Sequence, residues 1–311
     1  MTTGAEPAPP IKAALRLRAW LRRHLRPRAR RLYMGLATLL GLGRLGFFIP
    51  CRYAGQAYTY ARIPYGSLET PFVEARENFE AVLAAIEDQA PGLRAIEGGD
   101  GGGQYGSGMV PSFCQDWFPR LDGAAAYAMV RRHSPRRIIE IGSGYSTGFL
   151  ARAVADGSLD CDITAIDPAP RADIADLGVE VIHAPVQKLG TGPFAALAAG
   201  DFLVVDSSHI LMPGTDVDFI LNGVLPLVPP GLFVHFHDIF LPDPYPEDWT
   251  WRGYNEQIAI AALFSGANAY ELEFSSHYVT TRLCDRLMAT VIADIAISPG
   301  AFETSLWLRK K

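Results

Sequence analysis

The hydrophobic pattern changes its period along the chain. Over 70–96, Phe72, Phe79, Val82, Leu83 and Ile86 recur close to every 3.6 residues, with Glu74, Arg76, Glu77, Glu80, Glu87 and Asp88 opposite them; this predicts one amphipathic helix. Seven glycines between Gly98 and Gly108 end it and read as a linker. A further helix is expected from about Asp122 to Arg132. At Arg137 the period shortens: Ile138, Ile139 and Ile141 form a β-branched run, Gly142 and Gly144 follow, and Phe149, Leu150, Ala153 and Val154 resume helical spacing. That is a strand, a tight turn and a helix. Apolar runs at 162–166, 179–183, 201–205, 232–236, 270–274 and 304–308 predict six more strands. Their alternation with helical segments predicts an α/β fold with a mostly parallel sheet and helices on both faces. The expected organisation is a basic tail over 1–31, an N-terminal helical cap and Gly-rich linker over 32–110, and the sheet domain over 111–311.

Charge sharpens this division. The chain carries a net charge of −5, yet residues 1–31 hold nine Lys or Arg against Glu6 alone. The body is therefore acidic, which argues against nucleic acid as a partner. Ile11, Ala14, Leu15, Leu17, Trp20, Leu21 and Leu25 lie among those arginines, a pattern suited equally to the inner membrane surface and to folding against the acidic body. The apolar run 32–49 contains Arg44 and four glycines and falls short of the ~20 residues of a membrane span. No secretory signal is evident. Cys51, Cys114, Cys161 and Cys284 have no CxxC or zinc-finger spacing and read as reduced thiols of a cytoplasmic protein. The apolar Gly46–Pro50 turn and Tyr53, Tyr58, Tyr60 and Tyr65 are expected to pack the cap or to shape a substrate wall.

The glycine turn invites a small ligand, because Gly142 and Gly144 lack Cβ atoms and the following helix directs unpaired N–H groups at the same spot. A dinucleotide fingerprint would require glycine where Thr147 stands, so a nicotinamide site fits poorly. Glu140 precedes the glycines, and a second acid, Asp167, closes the next strand. This pairing resembles motif I and the following acidic position of class I S-adenosylmethionine-dependent methyltransferases, and the resemblance covers roughly the last two hundred residues. It implies a Rossmann-like seven-stranded sheet ending in a hairpin. It also implies a cofactor held by Glu140 toward its methionine end, by the turn Gly142, Ser143 and Gly144, by Asp167 at the ribose hydroxyls, and by the Gln187 region at the adenine.

Two clusters close strands at the same end of such a sheet: Asp206-Ser207-Ser208-His209 and His235-Phe236-His237-Asp238. They resemble the metal-dependent small-molecule O-methyltransferases, in which an Asp after strand four and an acidic or amide pair after strand five bind magnesium. The resemblance implies Asp206, His237 and Asp238 as ligands of Mg2+ or Mn2+. It also makes His209 the general base beside catalytic Asp206, where that group carries a Lys. A hydroxyl on a divalent cation loses its proton readily, and His titrates near neutrality. His235, inside its strand, reads as a core residue. In the long loop 239–254, Trp249, Trp251 and Tyr254 suit stacking on an acceptor and Arg252 suits an anion. Asn255 and Glu256 read equally as a helix cap with a dipole-favouring acid or as part of a metal shell. Asp116 and Trp117 read as a helix-entry staple or as pocket residues.

The resulting expectation is O-methylation of a small-molecule or carbohydrate acceptor, as in bacterial sugar and antibiotic-tailoring enzymes, assisted by a divalent metal. Three alternatives stay open at this point: a metal-free methyltransferase with His209 as base, a nicotinamide oxidoreductase, and a non-catalytic membrane-associated Rossmann-like binding protein.

Overall fold

The computed structural model describes residues 29–60, 63–97, 110–170, 174–266 and 269–311. The expectations for the basic segment 11–28, for the glycines 98–108 and for the side chains of Tyr58 and Tyr60 lie outside the described residues. By packing, the chain forms two units: Met1–Arg62 with Pro246–Gly253, and Ile63–Tyr245 with Tyr254–Lys311. The division thus falls near residue 62 and not at 110.

In the first unit, helix α1 (29–39) ends at Gly41, whose φ of +69° suits glycine, and Leu42 N–H donates to Ala37 O at 2.9 Å. Thr38 Oγ1 accepts from Leu45 N–H at 3.1 Å, so the chain turns back over Ala37. A short helix, α2 (Ala54–Tyr60), follows. Among the described residues no helix is long and apolar enough to cross a membrane.

The second unit opens with three helices where the periodicity predicted one: α3 (Glu69–Glu74), α4 (Arg76–Asp88) and α5 (Ala90–Glu97). The second break has a plain cause. Pro91 has no N–H to continue the ladder, so the helix closes at Gln89 and restarts. These helices belong to the sheet's own core. Phe72 packs on Phe264 and Tyr278, Phe79 packs on Phe274, and Asn78 donates to Leu272 O at 2.8 Å.

The remaining elements alternate. Helix α6 (Arg120–His133) leads to β1 (Arg137–Ile141), then α7 (Tyr145–Asp156), β2 (Asp162–Ile166), β3 (Glu180–Ile182), α8 (Val186–Leu189), β4 (Phe202–Val205), α9 (Asp216–Phe219) and β5 (Phe233–Phe236). Helix α10 (Glu256–Ser265), β6 (Tyr270–Ser275), α11 (Ser276–Arg282), α12 (Cys284–Leu287) and β7 (Leu306–Lys310) complete the chain. The sheet order is β3-β2-β1-β4-β5-β7-β6, parallel from β3 through β5, with β7 antiparallel to both β5 and β6. This is the Rossmann-like seven-stranded sheet expected above. The order reverses between β1 and β4, and ligands of such sheets sit beyond the carboxyl ends of the strands at that point.

Helix α6 fixes the geometry beneath that point. Every residue from Leu121 to Val130 is buried, and a Cβ on Gly123 would lie 2.6 Å from the Phe149 ring of α7. Full burial of a side chain such as Phe149 contributes about 2–3 kcal/mol. The two helices therefore seat closely, and the start of α7 is held against the sheet.

Candidate active site

The sheet's hydrogen-bond ladder runs one residue past the strands and delivers the candidate residues together. Gly142 N–H donates to Ile166 O, Asp206 N–H to Ile141 O, Asp167 N–H to Ile182 O and His237 N–H to Val205 O, all between 2.9 and 3.1 Å. Gly142 has φ +81°, and a Cβ there would lie 1.8 Å from Asp206 O. Only glycine permits this contact. The glycine turn and the Asp206 segment thus form one continuous surface.

Glu140 is placed differently from its expected role. It is fully buried under the turn, where its two oxygens accept from Ser146 Oγ and Thr147 Oγ1, each at 2.5 Å. Burial outweighs these donors and pushes its carboxyl up to about 8. Thr147 Oγ1 also accepts from Gly144 N–H at 3.0 Å. Thr147, a departure from the dinucleotide fingerprint, is therefore the residue that ties the turn to Glu140. Asp167 stays at the surface, with Oδ2 accepting from Ser143 N–H (2.8 Å) and Oγ–H (2.9 Å) and Oδ1 accepting from Ala169 N–H (2.8 Å). Its carboxylate is oriented before any ligand arrives. Two buried polar atoms lack a partner among the described residues: Ser207 Oγ, next to the turn, and Gln187 Oε1, in α8 after β3. Buried polar atoms without partners are costly, so these mark positions that a polar cofactor would satisfy. Gln187 Nε2 donates to Gly214 O at 3.3 Å.

Beyond β4 and β5, His209, Asp206, His237 and Asp238 form a ring of alternating basic and acidic groups. His209 Nε2 lies 3.3 Å from Asp206 Oδ1 and 3.4 Å from Asp238 Oδ2, while His237 Nδ1 lies 3.7 Å from Asp206 Oδ1 and 3.5 Å from Asp238 Oδ1. Each histidine has its own carboxylate behind it. His209 Nδ1 pairs with Glu256 Oε2 at 2.9 Å, and His237 Nε2 with Asp122 Oδ2 at 3.2 Å. His209 and Asp238 both hold φ of +58°, a strained state for non-glycine residues that clusters at functional sites.

Charge follows from this arrangement. Burial alone would lower His209, but Asp206, Glu256 and Asp238 outweigh it and hold the imidazole well above the ordinary histidine value. His237 is likewise held high against burial, by Asp206, Asp238 and Asp122. Burial acts to raise Asp206, and the two histidines overcome it, so its carboxyl lies well below the usual range. His209 is thus strongly tuned, where the sequence expectation had it working untuned near neutrality. The tyrosine ring of Tyr254 lies 4.6 Å from the His209 ring, and Tyr245 packs on Tyr254 at 6.2 Å.

The expected metal centre does not fit these residues. Among the described residues no group of three or more His, Cys, Asp or Glu could hold an ion. An imidazole nitrogen stands between Asp206 and Asp238, in the position a cation would need. His237 turns its Nε2 to Asp122, and Glu256 is committed to His209.

Two strong participants were missed in the sequence. Asp122, fully buried, accepts from Thr304 and Ser305 N–H at 2.8 to 3.0 Å besides holding His237. Gln257 accepts from Phe240 N–H at 2.8 Å and donates to Asp243 O, fixing the loop after β5. Asn255 sits at the helix N-cap without capping it. Its side chain clamps Leu211 instead, accepting from N–H at 2.7 Å and donating to O at 3.2 Å, while its own N–H donates to His209 O. His235 is a buried core residue, bonded through Nε2 to Ser305 Oγ at 2.9 Å and pushed down to about 3 by burial. Asp116 and Trp117 are exposed, and Phe113 and Phe118 do the packing, with Phe118 5.0 Å from His237. In the loop segment of the first unit, Arg252 stacks on Trp249 at 3.9 Å.

Residues 139–239 match the family model of a methyltransferase domain. Solved structures similar to this chain include the SAH-bound methyltransferase PaMTH1 of Podospora anserina, at 17% identity over 86% of this chain and 99% of that one, with a TM-score of 0.39. The O-methyltransferase of Bacillus cereus in complex with SAH is 14% identical over 71% and 91%, with a TM-score of 0.41. The O-methyltransferase TomG of Streptomyces achromogenes, in complex with SAM, is 18% identical over 73% and 89%, with a TM-score of 0.40. No curated protein matches the chain in sequence. The family match and the strand order together place the sheet domain in the class of methyltransferases with the class I architecture. The stretch 139–239 thus carries a methyltransferase domain, as the sequence resemblance to S-adenosylmethionine-dependent enzymes led us to expect.

Proposed function

We propose that this enzyme methylates a hydroxyl oxygen of a small-molecule or carbohydrate acceptor without a divalent metal, with His209 as the proton acceptor. The observation that carries this reading is the contact of the glycine turn with Asp206, because it joins the cofactor side of the site to the histidine ring across a single backbone approach. When bound, S-adenosylmethionine supplies an electrophilic sulfonium methyl. Asp167, Ser143 and the turn 142–144 would hold it, with Ser207 and Gln187 offering their unpartnered oxygens. Glu140 acts from below as the brace of the turn.

Glu256 fixes the tautomer of His209. Bonded to Nδ1–H, it leaves Nε2 as the atom that takes the acceptor's proton once the imidazole is neutral. Asp206 and Asp238 orient that nitrogen and stabilise the imidazolium that forms. Because the ring holds His209 protonated, the active form of the free enzyme accumulates only as pH rises above the ordinary histidine value. Tyr254, over the His209 ring, suits the ring of an aromatic or sugar acceptor. The four cysteines are free thiols, which supports a reducing, cytoplasmic setting.

The test is calorimetric titration of the full chain with S-adenosylhomocysteine, followed by methyl transfer from labelled cofactor to a panel of sugars and phenols with and without EDTA. Binding in the micromolar range, about 1 µM to 1 mM being usual for enzyme substrates, and turnover indifferent to EDTA are expected. Absence of binding would remove the cofactor assignment, and loss of turnover in EDTA would remove the metal-free mechanism.

A further inference from the structure

The first unit presents an apolar surface that is exposed among its described residues. Leu32, Tyr33, Leu36, Leu39, Leu40 and Leu42 are between 49% and 79% exposed, and the turn Phe47-Phe48-Ile49 is 60–65% exposed. Thr38 and Gly41 fold the segment 42–45 back on α1, and this covers Ala37 while the large side chains stay outside. An apolar display of this density on so short a segment marks an interaction site.

Charge identifies the occupant. From Pro7 to Leu68 the sequence contains twelve Lys or Arg and no Asp or Glu, although the whole chain has five more acidic than basic residues. Arg30, Arg31, Arg44 and Arg52 belong to the described stretch that carries the exposed Leu, Phe and Ile. A second copy of this surface would bring like charge against like charge, at a cost. A nucleic acid would satisfy the arginines, but its phosphates offer nothing to Leu40, Leu42, Phe47, Phe48 and Ile49. A bilayer rich in anionic lipid satisfies both, since apolar side chains enter the acyl boundary while Lys and Arg meet the headgroups. No described helix is long and apolar enough to span, so the contact is interfacial. We propose that residues 32–53 dock this methyltransferase on the surface of an anionic membrane, with the surrounding Lys and Arg supplying the electrostatic share.

The experiment is co-sedimentation of the full chain with phosphatidylcholine vesicles, with and without phosphatidylglycerol in equal part, at low and high salt. Two variants are compared with the parent: Leu40→Ser/Phe47→Ser/Phe48→Ser/Ile49→Ser and Arg44→Glu/Arg52→Glu. All six positions lie outside the catalytic unit, so affinity for S-adenosylhomocysteine is measured as the check on folding. The parent should bind the anionic vesicles and bind them less in high salt. Each variant should lose about tenfold or more of that binding. Failure of the parent to bind anionic vesicles, or equal binding by the apolar variant, would overturn the proposal. So would a parent that sediments as a dimer that the apolar variant dissolves, since the face would then be a contact between copies. Loss of cofactor affinity in the parent itself would strike the proposed function and leave the vesicle result standing.

Discussion

Replacing Glu256 by Gln tests the charge assigned to the histidine ring without requiring an acceptor. Glu256 and His209 are both almost fully buried and meet at 2.9 Å through Oε2 and Nδ1. Gln keeps the shape and can still accept from Nδ1–H, but it carries no charge. With charge centres about 4 Å apart and an effective permittivity of about 20, the ion pair is worth about 4 kcal/mol, against about 1 kcal/mol for a neutral hydrogen bond. Burial raises the Glu256 carboxyl and offsets part of this gain, so the variant should be at most about 3 kcal/mol less stable where His209 is protonated, at most roughly 6–12 °C in Tm for a domain of this size. The pH dependence fixes the sign. A histidine raised in the folded state contributes stability that is fully present below its unfolded value, about 6.5, and is lost as pH rises through the folded value. The loss in the variant should be greatest near pH 6 and shrink as pH rises. It should vanish or reverse once His209 is neutral, because the parent then buries an uncompensated carboxylate whose Oε1 has no hydrogen-bond partner among the described residues. Urea unfolding across pH measures this, and imidazole NMR, with His209→Gln to assign its signal among seven histidines, follows the group directly. A His209 that titrates at or below the ordinary value, or a stability difference that does not change with pH, would refute the reasoning.

Three further outcomes follow from the same geometry. Asp167→Ala should weaken S-adenosylhomocysteine binding by about 10- to 100-fold, the usual worth of hydrogen bonds to a charged group, while Asp206→Ala should abolish turnover and largely keep cofactor affinity; calorimetry beside a turnover assay would expose the reverse pattern. Gly142→Ala should cost about 3 kcal/mol or more and remove cofactor binding, since its Cβ meets Asp206 O at 1.8 Å on a backbone of positive φ; an unchanged melting temperature would contradict the close approach. Glu140, raised by burial from 4.5 to about 8, contributes stability that is present below pH 4.5 and lost as pH rises through 8. Glu140→Gln should accordingly match the parent near pH 5 and exceed it in stability above pH 8, and a variant weakened at high pH would show that the buried carboxylate is stabilised as an anion.

The parts of the fold legible in the sequence are those whose cause is local. β1 and β2 were predicted to the residue at their carboxyl ends, because a β-branched run bounded by glycine or by Asp-Pro has only one way to stop. The break at Gln89 was also written locally, in Pro91, but the continuing 3.6 period of apolar residues masked it. Asp122 was not legible as a site residue, and Glu256 was read as a dipole-favouring acid or a metal ligand but not as the partner of His209. Each lies in the first turn of a helix, where an acid is ordinarily read as favouring the dipole, and their histidines stand 115 and 47 residues away. Asn255 shows the same limit, since a residue typical of helix caps was drawn off to Leu211 by a loop that sequence proximity does not reveal. Thr147 was readable only as a missing glycine until Glu140 was found beneath it.

The acids behind the histidines also explain why a metal was the natural expectation and why the proposed mechanism dispenses with one. Asp206 and Asp238, seen alone at adjacent strand ends, are a pair of carboxylates in need of a positive charge. Here the ring supplies that charge from His209 and His237, which Asp206 and Asp238, with Glu256 and Asp122 at their outer nitrogens, hold above the ordinary histidine value. A cation entering the same space would have to displace an imidazolium from two carboxylates and leave a third buried acid unpaired. The same arrangement makes the resting site electrostatically satisfied but catalytically closed. In the proposed mechanism Nε2 of His209 becomes a base only after its proton has left, so the groups that stand where a metal would sit also set the pH at which that mechanism can run.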